Sequence, residues 1–185
     1  MPARRFHLLL LALIAGLLPG LAACSTSARL EAGQNLPLAA FSQNQVEVEI
    51  FLEIDAAGGT CLAATFTPLE DGAHLYALDL PRRGVDGVGR PTLLELPPDS
   101  PLQALGPLTA SAVASAEDAS SPDLRTYPPG PVTLHLPVAL PPGAAWTETQ
   151  VSVTYMVCKG GNCRPPVENR LVTVRLPGAS AIASP

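Results

Sequence analysis

At 185 residues the chain is sized for one domain, and two would be cramped. Apolar residues make up 47% and charged residues only 15%, so the chain can bury a core, while 21 prolines and 15 glycines leave little room for long helices. With a net charge of −5 and Lys159 as its one lysine, it has no polybasic footprint, and nucleic acid is set aside as a partner.

Arg4 and Arg5 precede an apolar run from Leu8 to Leu18, which Pro19-Gly20 breaks before a stretch of small residues. That is the order of a secretory signal. A permanent transmembrane helix is the competing reading, but it needs about 20 apolar residues and the run is shorter. Leu21-Ala22-Ala23-Cys24 resembles the lipobox of bacterial lipoproteins, in which the cysteine is acylated and becomes the first mature residue. An ordinary signal peptide is the alternative. The lipoprotein reading makes residues 1–23 a signal peptide and anchors Cys24 to a membrane, since each buried CH₂ contributes about 0.8 kcal/mol. The protein is then exported and held on the periplasmic side of a bacterial envelope. Ser25 stands where an inner-membrane retention signal has aspartate, which favours the outer membrane.

Residues 24–44 read as the lipidated cysteine and a flexible tether, 45–177 as the folded domain and 178–185 as a tail. Val46, Val48, Ile50, Leu52 and Ile54 alternate with polar residues, which predicts a half-buried strand. Thr60 to Thr67, His74 to Leu80 and Pro91 to Leu96 read as further strands, with a glycine-rich turn at 81–90. Residues 97–130 are loose and contain the acidic pair Glu117-Asp118. Alternation resumes at Val132 to Val138 and at Val151 to Val157, and Leu171 to Leu176 forms the last strand. Short strands, proline-rich turns and no convincing helix predict an all-β, immunoglobulin-like β-sandwich.

The cysteines carry the chemistry. If Cys24 is lipidated, Cys61, Cys158 and Cys163 remain, and one must be left over. Cys158 and Cys163 flank the loop Lys159-Gly160-Gly161-Asn162, which permits a hairpin that sets the two cysteines opposite each other. Directly paired Cα atoms sit at the short end of the disulfide range, so a bond there is expected to be strained and labile. As a staple it is poor: closing so short a loop contributes only about 2 kcal/mol, against about 4.7 for a bond from Cys61 to Cys158. Lys159 and Arg164 adjoin the two cysteines, and cations favour thiolate. These features point to a redox-active pair, with a purely structural bond as the alternative, and to Cys61 as a buried free thiol. A metal would need further ligands, for which the mature chain after residue 23 offers only His74, His135 and Cys61, and its single methionine, Met156, is too little for copper. No metal or other cofactor is therefore expected, and no G-x-S-x-G elbow for nucleophilic hydrolysis is present.

The segment from Val153 to Pro166, with Tyr155-x-x-Cys158, Cys163 and Pro165-Pro166, resembles the N-terminal periplasmic domain of the thiol:disulfide interchange protein DsbD. Gly72-Ala73-His74-Leu75-Tyr76 is similar to a strand lining that family's active site, and Tyr127 with residues 132–140 is similar to the strand leading to its hairpin. The resemblance implies an immunoglobulin-like domain whose hairpin dithiol relays two electrons to exported, oxidised client proteins. It assigns the attack to Cys163, makes His74 and Tyr76 residues that shape the pocket, and places Glu117 or Asp118 in a capping loop; Tyr155, Lys159 and Arg164 are expected close to the cysteines as well. The cysteines here are separated by four residues, one fewer than in the best-known members. Ala119, Ser120 and Ser121 stand where the family has shielding aromatics. The family's full-length reductase continues into a membrane domain and a thioredoxin-like domain; these 185 residues contain neither, and the expectation is a separate donor, membrane-embedded or thioredoxin-like. A non-catalytic immunoglobulin-like lipoprotein, with a structural hairpin bond that fixes a binding loop, is the second reading.

Overall fold

The computed structural model describes residue 30, residues 33–116 and residues 120–182. The leader, Cys24, Ser25, the Glu117-Asp118 pair and Ala119 lie outside the described residues.

Strand β1 (Asn35–Gln43) turns at Asn44-Gln45 into β2 (Val46–Ile54), which returns as β3 (Thr60–Pro68). A two-residue β4 (His74–Leu75) and a three-residue β5 (Leu93–Glu95) flank the glycine-rich loop. Four two-residue strands follow: β6 (Gln103–Ala104), β7 (Thr109–Ala110), β8 (Ser115–Ala116) and β9 (Arg125–Thr126). The C-terminal part holds β10 (Val132–Ala139), β11 (Thr147–Tyr155), β12 (Val157–Lys159), β13 (Asn162–Cys163) and β14 (Val167–Leu176).

These strands form an all-β sandwich. The larger sheet runs β1-β2-β3-β10-β6, with β7 also on β10; the facing sheet runs β14-β11-β5. Its logic is the period-two pattern: Val46, Val48, Ile50, Leu52 and Ile54 are buried while Glu47 and Glu49 face solvent. The same alternation in β10 buries Val132, Leu134, Leu136 and Val138. Together with Leu62, Ala64 and Phe66 of β3 and Val151, Val153 and Val174 of the facing sheet, they make one continuous core. Phe66 closes it by meeting the ring of Tyr155 edge-on, with centroids 5.6 Å apart.

Three expectations change in detail. The stretch read as tether contains β1, a full partner of β2 along its length. The strand expected over residues 74–80 is only two residues long, because the chain bends at Ala77, whose carbonyl accepts from the Leu80 amide. The segment read as a tail folds back: Ala179–Ala181 form a 3₁₀ turn, and Ile182 bridges Leu30.

Cys61 is a free thiol at the start of β3, half-buried rather than fully buried, opposite Glu53 and Pro137. Burial pushes its pKa up to about 11, and the Glu53 carboxylate adds to the rise. Since the native thiol holds its proton to higher pH than the unfolded one, its contribution to stability is present below the ordinary thiol pKa and lost as pH rises toward 11. Cys61 is therefore expected to alkylate slowly at pH 7 and to speed up only as pH approaches 11, as peptide-resolved mass spectrometry of iodoacetamide labelling would show.

A candidate redox hairpin

At Met156 the chain leaves the β11 sheet and enters a third, small sheet in the order β13-β12-β4. A bulge prepares the switch: the β11–β14 register shifts between Val153 and Tyr155, and the Thr154 hydroxyl accepts the Asn169 amide at 3.0 Å. In the small sheet Cys158 pairs with Cys163 and Lys159 with Asn162, so the connection is a two-residue turn rather than a four-residue loop. Gly160 and Gly161 occupy it with φ of 54° and 80°, the paired positive values that a tight hairpin of this kind requires.

Cys158 and Cys163 are joined by a disulfide. The two sulfurs differ in environment. Cys158 is 3% exposed, whereas Cys163 is exposed at the mouth of an open cleft of about 540 Å³ lined by Glu70, Lys159, Gly160, Asn162 and Arg164. On its buried side Cys158 belongs to a small apolar cluster with Tyr76, Ala77 and Leu80, and Ala114, Leu124 and Met156 pack against it. These apolar groups enclose the inner cysteine.

Strand β4 supplies the second wall. His74 lies directly across from Cys158 in the β4–β12 pair, and its ring meets that of Tyr76 edge-on at 5.7 Å. The Tyr76 hydroxyl is 3.0 Å from Cys158 Sγ and 3.8 Å from Cys163 Sγ. Neither sulfur of a disulfide carries hydrogen, so in this pair the phenol donates. Tyr76 is fixed by its backbone: its carbonyl accepts from the Thr92 hydroxyl at 2.7 Å, and it bridges Pro91 and Thr126. The glycine-rich turn contributes directly, because a Cβ on Gly89 would stand 2.9 Å from the Tyr76 ring.

Lys159 and Arg164 do flank the cysteines, but both reach the same carboxylate, that of Glu70, at 3.1 Å and 3.6 Å. Sequence reasoning missed Glu70. It sits in the turn after β3, far along the chain from its partners, and no local pattern marks it.

Tyr155 is placed below the hairpin. It is 1% exposed, packs on Phe66, and donates its hydroxyl to the Gln43 carbonyl at 3.0 Å; burial raises its pKa to about 12. The β1–β2 turn, read as the end of a tether, thus supports the hairpin base, and Asn44 also donates to the Pro165 carbonyl at 2.7 Å. Tyr127 is buried, and its hydroxyl accepts the Leu78 amide at 3.1 Å. His135 lies apart from the hairpin, on β10 with Nε2 3.5 Å from Glu53.

No protein-family model, curated protein or solved structure matches the chain.

Proposed function

We propose that the protein is a thiol:disulfide interchange component of the bacterial envelope, an immunoglobulin-like domain of the DsbD N-terminal type carried on a lipid anchor at Cys24. The observation that carries this reading is the asymmetry of the pair: one sulfur is exposed in a cleft, and the other is buried against a hydrogen-bond donor. Exchange chemistry needs that division. The Cys163 thiolate attacks an oxidised client, forming a mixed disulfide and expelling the client's other sulfur as a thiolate. The Cys158 thiolate then attacks Cys163 Sγ, the intermolecular bond breaks, and the client leaves reduced by two electrons with the hairpin disulfide formed. A membrane-embedded or thioredoxin-like dithiol donor reduces the hairpin again.

Tyr76 has a defined part in this sequence. Burial opposes ionisation of Cys158, and a phenol donating to its sulfur offsets that opposition. His74 and the apolar cluster hold the phenol in place.

The test mixes the reduced protein with a disulfide-bonded reporter protein and follows both by mass. One reporter disulfide should be lost for each Cys158–Cys163 bond formed. Tyr76→Phe should slow this transfer about tenfold at neutral pH, as expected when a hydrogen bond to a charged group worth about 1.5 kcal/mol is lost. A hairpin that stays reduced while the reporter stays oxidised would contradict the exchange reading, because the dithiol would then deliver no electrons.

A further inference from the structure

Among the described residues, Glu70 is the one carboxylate lining the cleft in front of Cys163. Its two oxygens divide between the cations that follow the two cysteines: Oε1 lies 3.1 Å from Lys159 Nζ and Oε2 lies 3.6 Å from Arg164. The hairpin makes this possible. Lys159 extends β12 beyond Cys158, and the Arg164 amide returns to the Val157 carbonyl at 2.9 Å, so the two side chains leave the sheet close together and meet one acceptor.

An exposed ion pair contributes little to stability, and all three side chains here are 43 to 52% exposed. Its consequence lies in where it holds charge. Cations left to approach a thiol favour the thiolate, whereas a carboxylate that engages them compensates their charge and adds a negative charge of its own. From this geometry we infer that Glu70 is a positioning residue: it tethers Lys159 and Arg164 and thereby governs the reactivity of Cys163. The inference rests on the exchange function proposed above, because only in a pair that cycles does the acidity of the outer thiol matter. It also makes the hairpin's electrostatics a property of the β3–β4 turn rather than of the hairpin alone.

The experiment measures the pH midpoint of Cys163 alkylation in the full chain after chemical reduction with a phosphine, resolved by peptide mass. Glu70→Gln should move the midpoint down by about half a unit to one unit. Glu70→Asp keeps the charge and should recover part of that shift. When Lys159 and Arg164 are both replaced by methionine, Glu70→Gln should lose at least half of its effect. An unchanged midpoint in Glu70→Gln would overturn the inference, and so would an undiminished shift in the cation-free background, where Glu70 would be acting through its own charge alone. Melting temperatures recorded alongside separate loss of fold from a change in acidity. Because a phosphine reduces the bond whatever its potential, the measurement returns a midpoint even if the hairpin proves inert to biological dithiols, so the two readings fail separately.

Discussion

Replacing Cys158 with serine is expected to trap clients covalently on Cys163, visible as slower-migrating, thiol-sensitive species when envelope proteins are separated without reductant. The exposed sulfur remains free to attack, but the buried sulfur that completes the exchange is gone. Cys163→Ser should trap none, because the remaining Cys158 is 3% exposed and lies in an apolar cluster with Tyr76, Ala77 and Leu80. Two-electron transfer should be abolished in both. Stability makes this comparison clean: each variant loses the same short-loop bond, worth about 2 kcal/mol, so a difference in trapping reflects position and not folding. Equal trapping by the two variants would contradict the assignment of attacking and resolving sulfurs.

The largest expected effect on stability lies beneath the site. Phe66→Ala should cost about 3 to 5 kcal/mol, measured as a fall in the urea midpoint with little change in slope. Phe66 is fully buried where β3 faces β11, and its edge-on contact with Tyr155 joins the two sheets. The loss should also loosen the hairpin base, since Tyr155 holds the β1–β2 turn through Gln43. A cost below about 1 kcal/mol would mean that the interior is not closed at this point.

The parts of this architecture that were legible in the sequence are those where one face of a strand is buried and the other wet. In β2 and β10 the side-chain period of two is uninterrupted, and burial follows it residue by residue. β1 escaped notice for a physical reason. It is an edge strand whose register slips between Pro37 and Ala39, so its half-buried Leu36, Leu38, Ala39 and Phe41 fall on no single period. β4 was overextended because Tyr76 bonds as a strand residue to two different segments while the chain is already turning.

The site divides in the same way. The cysteine pairing could be read because it is local, a glycine turn between two adjacent strands. The contact of Tyr76 with both sulfurs and the place of Gly89 against its ring are long-range, set by how β4 docks on β12. The expectation that Lys159 and Arg164 act on the sulfurs left out the carboxylate that engages both, because Glu70 arrives only through the fold.

The most direct test of the exchange function is equilibration of the protein with glutathione buffers of graded ratio, scored by alkylation and mass at Cys158 and Cys163. The account predicts a two-electron transition between about −270 and −120 mV, the range of exchange proteins. A pair that remains bonded below about −300 mV would contradict it and leave the hairpin a structural clasp.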